Sequence, residues 1–174
     1  NSVEDVLPEL RGMFAFAWWD SEARSLVAAR DRFGIKPLYY AVLEGGELVL
    51  GSELRAVRSL LGGKPRISRR ALAQFFRWGA VQAPDTMFEG VHCLPPGHLL
   101  RWQDGKLEVE RWFTPKWGGR GGWLKGKDAV HAVRETVTDS VRAHLVSDVP
   151  VGVFLSGGLD STLMAALMRQ QGRT

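Results

Sequence analysis

Cysteine is nearly absent from these 174 residues: Cys93 stands alone, so no disulfide can close within the chain and packing and hydrogen bonds must hold the fold. Seven tryptophans without a cysteine framework suit a reducing compartment, and a cytoplasmic location is expected. Long apolar runs are missing too. The stretch from Met13 to Trp19 is far too short to span a bilayer, and no basic segment leads into it as a signal peptide requires, so no membrane partner is expected. Neither charge sign dominates: the net charge is +4 and the basic residues read as scattered rather than as one stripe, which argues against nucleic acid. His92, His98, His131 and His144 lack metal-ligand spacing, paired carboxylates for acid-base work are not evident, and there is no internal repeat or low-complexity tract. What remains is an ordinary soluble composition, 45% hydrophobic and 24% charged, with room for one good core or two small domains.

The richest local signal lies near the end. Val151-Gly152-Val153-Phe154-Leu155 reads as a buried strand, Ser156-Gly157-Gly158-Leu159-Asp160-Ser161 as a tight turn, and the run from Thr162 as a helix. The first N–H groups of such a helix lack carbonyl partners, and two glycines without Cβ let an anion approach that backbone closely. The hydroxyls of Ser156 and Ser161 add donors. Asp160 is awkward in a purely anionic pocket unless it caps the helix or faces a metal, which hints at Mg²⁺. No Gly-Lys-Ser/Thr follows, so a Walker-type loop is disfavoured. A plain strand-to-helix turn with a serine cap is the bland alternative.

The SGGLDS sequence after an apolar strand resembles the pyrophosphate loop of the ATP-pyrophosphatase superfamily, and DVPVGVFLSGGLDS resembles the form found in glutamine-hydrolysing asparagine synthetases. That resemblance implies that Leu155, Ser156, Gly157, Gly158, Leu159, Asp160 and Ser161 bind ATP or its pyrophosphate, with Leu155 contacting the nucleotide and Asp160 a possible Mg²⁺ ligand. Arg30-Asp31-Arg32-Phe33-Gly34-Ile35-Lys36-Pro37, read from its chemistry alone, is either a solvated turn with local ion pairs or a rigid hydrogen-bonded loop. With the following Leu38-Tyr39-Tyr40 it is closely similar to a stretch of class II glutamine amidotransferase domains. The likeness extends through Leu10–Ala17 and Gly51–Ala56, and Leu94-Pro95-Pro96-Gly97-His98 resembles the family segment that joins the amidotransferase half to the synthetase half.

Earlier in the chain, Gly12–Trp19 is expected to be a strand buried on both faces and Leu26–Ala29 its hairpin partner. Leu38–Val42 and Glu47–Leu50 form a second hairpin around Glu44-Gly45-Gly46. Ser52 is expected to cap a short helix, and Ser68 a second with Leu72, Phe75 and Phe76 on one face and Gly79 as the stop. Asp104-Gly105 signals a further hairpin, read as a small ribbon at the domain junction. Asp128 starts a helix with an apolar stripe of Val130, Val133, Val137, Val141 and Leu145, ended by Asp148-Val149-Pro150.

The expected fold is α+β: residues 1–112 a partial amidotransferase sandwich of the N-terminal-nucleophile type, 113–127 a linker, and 128–174 the first βα unit of an α/β ATP-pyrophosphatase domain. Asn1 at the start and Thr174 just past a helix lead us to expect a piece of a longer chain. A class II amidotransferase attacks glutamine with an N-terminal cysteine whose α-amine serves as base; Asn1 is no nucleophile and Cys93 is internal, so no catalytic residue is expected here and these residues alone should be inactive. The resemblance implies an asparagine synthase-type ligase that uses ATP and Mg²⁺, takes glutamine and aspartate as substrates, and could form a homodimer when full length. Related ligases acting on another carboxylate, such as β-lactam synthetases or polysaccharide-pathway enzymes, and a non-catalytic nucleotide-binding remnant are the alternatives.

Overall fold

The computed structural model describes residues 2–64, 66–116 and 124–172. It divides into two compact units, 1–115 and 116–174. Asn1, most of the Gly- and Trp-rich part of the expected linker, and the last two residues lie outside the described residues.

The first unit is two antiparallel sheets. One has the order β1 (Ala15–Asp20), β2 (Ser25–Arg30), β6 (His98–Gln103), β7 (Lys106–Arg111); the other has β4 (Leu48–Gly51), β3 (Tyr39–Val42), β5 (His92–Cys93). Alternation along each strand sends residues to opposite faces, and three clusters follow. Ala28 and Leu100 of the first sheet meet Tyr40 of the second, with Leu38 and Leu94, to form the inter-sheet core. Ala29 and Leu99 point the other way and are covered by Leu7, from the short 3-10 turn Leu7–Glu9 that follows α1 (Val3–Val6). Ala41 of β3 faces Val57 of α2 (Leu54–Ser59) and Val91. Each fully buried leucine in these layers contributes about 2 kcal/mol relative to exposure. The fold is therefore mixed α and β with antiparallel sheets and helical segments on the outer faces.

Several expectations change. The strand read as Gly12–Trp19 begins at Ala15, and Trp18 and Trp19 are 60% and 50% exposed: β1 is an edge strand, and among the described residues it pairs only with β2 and no layer covers its far end. The Asp104-Gly105 hairpin is no junction ribbon, because β6 pairs with β2 along five residues and is interior to the sheet. Helix α2 is preceded by Glu53 without a side-chain cap, so Ser52 does not cap it. Ser68 does cap α3 (Arg69–Trp78), accepting the N–H of Ala71 at 3.2 Å, and Gly79 ends it at φ 71°. The face of α3 that is buried carries Ala71, however, and Leu72, Phe75 and Phe76 stay exposed.

The second unit holds α4 (Gly126–His144) and α5 (Leu159–Gln170), joined through a core of Val141, Leu145 and Leu167. Helix α4 starts two residues before Asp128 and stops before Asp148; Val130 and Val133 of its stripe are exposed. Residues 151–155 form no strand, and Phe154 is 100% exposed. A parallel strand needs neighbours to satisfy its backbone groups, and none is present among the described residues.

Candidate functional site

The Gly-rich turn enters α5 three residues earlier than the apolar run suggests: the helix begins at Leu159, which puts Asp160 and Ser161 in its first turn. Gly157 has φ +79°, a conformation that strains any residue with a Cβ, and an added Cβ would find open space within 4 Å. Gly158 is the N-cap in extended conformation, so no side chain caps α5 and its leading N–H groups are left for solvent or an anion. Ser156 and Ser161 Oγ lie 3.0 Å apart, and Ser161 Oγ also lies 3.1 Å from the Gly158 carbonyl oxygen as its donor. The two hydroxyls, five residues apart in sequence, are thus brought together across the turn, a pairing that no helical or strand period would reveal. The whole loop is exposed except for partial cover at Ser161, with Leu155 and Leu159 both facing solvent.

A short apolar groove of about 330 Å³ runs beside the loop, lined by Val151 and Val153 together with Val141, Leu145 and Met164. Residues 151–153 are therefore laid along the helix pair even though they make no ladder. Among the described residues no group of three or more His, Cys, Asp or Glu side chains could hold a metal ion. Asp160 offers a single carboxylate. Such a group suits a magnesium ion only if phosphate oxygens complete the coordination, the usual arrangement for that cation.

The second constellation is the loop 30–37, and its polar groups turn inward. Asp31 is 1% exposed and its carboxylate accepts the backbone N–H groups of Phe33 (3.1 Å), Ile35 (3.0 Å) and Lys36 (2.9 Å). Burial pushes the Asp31 carboxyl up, but these donations outweigh it and hold the group below the usual carboxylate range. The Arg30 guanidinium reaches back to the carbonyl oxygens of Gly34 and Lys36 and across to that of Leu94, tying the loop to the Leu94–Gly97 turn. Arg32 donates to the carbonyls of Pro8 and Leu10 and lies over the Trp112 and Phe113 rings. Of the two readings the chemistry allowed, the structure shows the rigid hydrogen-bonded loop. Cys93 Sγ lies 3.1 Å from Arg30 Nη1, while the neighbouring His92 ring packs on Tyr40 instead, so no Cys-His pair forms.

Residues 2–113 match the family model described as a glutamine amidotransferase domain, and residues 132–174 match that of asparagine synthase. The chain belongs to the glutamine amidotransferase domain family, and the residues that match asparagine synthase follow that domain. The chain is 38% identical over 165 residues to asparagine synthetase [glutamine-hydrolyzing] 3 of Bacillus subtilis, covering 94% of this chain and 26% of that protein. It is 39% identical over 168 residues to a putative asparagine synthetase [glutamine-hydrolyzing] of Mycobacterium tuberculosis, with the same coverage. The fungal amidase chyE of Penicillium rubens is 36% identical over 174 residues, covering 94% of this chain and 25% of that protein. The chain thus spans about a quarter of the length of the relatives it matches. No helix among the described residues is long and apolar enough to cross a membrane.

Proposed function

We propose that these residues are part of an ATP-dependent asparagine synthase that hydrolyses glutamine and uses the ammonia to amidate aspartate, through an aspartyl adenylate. The observation that carries the reading is the uncapped start of α5, reached through the positive-φ Gly157 and flanked by the paired Ser156 and Ser161 hydroxyls, directly downstream of an amidotransferase domain. Leu155, Ser156, Gly157, Gly158, Leu159, Asp160 and Ser161 form the ATP and pyrophosphate site in this reading. The helix N–H groups and both hydroxyls donate to phosphate oxygens, and the dipole of a 12-residue helix favours that negative charge. A magnesium ion, if bound with the nucleotide, would offset phosphate charge beside Asp160. Asp160 lies in the first turn of α5, and its carboxylate would be the group to face such an ion.

The domain division follows the same reading: amidotransferase residues 1–112, a linker 113–127, and from 128 onward an ATP-pyrophosphatase domain of parallel α/β type whose first strand, 151–155, pairs only within the full-length fold. Glutaminase chemistry needs an activated nucleophile that these residues do not carry, so this 174-residue chain is predicted not to turn over glutamine. A cytoplasmic, homodimeric full-length enzyme is the accompanying expectation.

The test uses the full-length protein and follows pyrophosphate release with aspartate and glutamine. Gly157→Ala, Ser156→Ala and Asp160→Ala should each lower the rate at least about a hundredfold, in line with loss of a positioned charge-stabilising group. Release unchanged in all three variants would remove the loop from the reaction. Release that is independent of aspartate would overturn aspartate as the acceptor.

A further inference from the structure

Past the last strand of the first sheet the chain is not released at once. Trp112 and Phe113, which follow β7, both donate their backbone N–H groups to the Gly97 carbonyl oxygen, at 2.9 and 3.1 Å. The Trp112 indole Nε1 donates to the Arg30 carbonyl oxygen at 3.2 Å. Gly97, at φ +64°, leaves room for this approach: a Cβ there would lie 3.0 Å from the Phe113 carbonyl oxygen. The Gly97 N–H donates in turn to the Asp31 carbonyl oxygen at 2.9 Å, so the loop 30–37, the Gly97 turn and residues 112–113 form one hydrogen-bonded knot.

Side chains close the knot from outside. The Arg32 guanidinium carbon lies 5.3 Å from the centroids of both the Trp112 and the Phe113 rings, and its donations to the carbonyl oxygens of Pro8 and Leu10 hold it there. Phe33 is 69% exposed, and its ring meets that of Phe113 edge to face with centroids 6.1 Å apart. Both kinds of contact attract beyond the area they bury. A phenylalanine so far outside the core adds little to it, and its ring partner is the exit of the chain. Trp112 is the last residue assigned above to the amidotransferase part, and Phe113 the first of the linker. A tether restricts what it joins only where its own root is fixed; a frayed root lengthens it and lowers the effective concentration of one end at the other.

We propose that Arg32, Phe33, Trp112 and Phe113 form a coupling clasp, which fixes the root of the linker so that ammonia released in the amidotransferase part is used in the synthetase part rather than lost to solvent. The inference rests on the reaction proposed above.

The test uses the full-length protein. In Arg32→Ala, Phe33→Ala and Phe113→Ala, hydrogen exchange at the amides of 112 and 113 should speed up at least about tenfold, with the amides of β6 unchanged. Glutamine hydrolysis and pyrophosphate release driven by added ammonium should each stay within about twofold of wild type, while glutamate formed per pyrophosphate released from glutamine should rise about twofold or more. Phe113→Tyr, which keeps the ring, should match wild type in both readings. Unchanged exchange at 112–113 overturns the clasp, and equal acceleration across β6 overturns it in favour of a general loss of stability. A wild type that couples glutamate to pyrophosphate, with the ratio unmoved in all three alanine variants, overturns the coupling role alone. A wild type that hydrolyses glutamine but releases no pyrophosphate overturns the reaction and, with it, the coupling role.

Discussion

Replacing Asp31 by alanine tests whether the 30–37 loop is a structural member of the first unit or an ornament on it. The carboxylate holds three backbone N–H groups within 3.1 Å in a site that is 1% exposed. A hydrogen bond to a charged acceptor contributes about 1.5–3 kcal/mol, which would sum to roughly 4–9 kcal/mol if all three donors were left dry. They are not: Phe33, Ile35 and Lys36 are exposed residues, so water can rescue part of the loss, and we expect about 3 kcal/mol. Urea unfolding followed by tryptophan emission reads this, since Trp18, Trp19, Trp78, Trp102 and Trp112 all belong to the first unit. With a slope of about 1.5 kcal/mol/M the midpoint should fall by about 2 M. Asp31→Asn, which keeps one acceptor oxygen and loses the charge, should fall between. The pH dependence follows in sign. The folded-state carboxyl is held below its unfolded value, so its stabilisation is present in full above about pH 4 and is lost as pH falls through the lowered folded value. The gap between wild type and Asp31→Asn should therefore close in acid. A midpoint shift under about 0.3 M for Asp31→Ala, or a gap that does not narrow in acid, would refute the reasoning.

The remaining expectations concern the glycine and cap positions. Gly34→Ala should cost about 3 kcal/mol and Gly79→Ala only about 1, because both have positive φ but a Cβ at 34 would meet Pro96 Cγ at 2.8 Å and the Arg30 guanidinium carbon at 3.0 Å, whereas at 79 it meets nothing within 4 Å; equal midpoint shifts would show that the Gly34 contacts yield. Ser68→Ala should cost about 1 kcal/mol through loss of the cap on Ala71 N–H, and Ser68→Asp should recover most of it in the same unfolding experiment.

The amino-acid sequence by itself settled the local elements whose cause is local. The Asp104-Gly105 hairpin, the Ser68 cap, the Gly79 stop and the antiparallel partner of each early strand need only a few neighbouring residues, and all four are present. The glycine turn before α5 was legible for the same reason: Ser156-Gly157-Gly158 carries its conformation in its own chemistry. Burial was not legible, because it depends on what arrives from elsewhere. Trp18 and Phe76 look like core residues in any window, yet one lies on an edge strand and the other points away from the layer that α3 covers. Val151–Leu155 has the composition of a buried strand, but a strand exists only where another supplies its hydrogen bonds. The inward turn of Arg30 was likewise decided by tertiary structure, since its guanidinium joins the Leu94 carbonyl oxygen, 64 residues away in sequence.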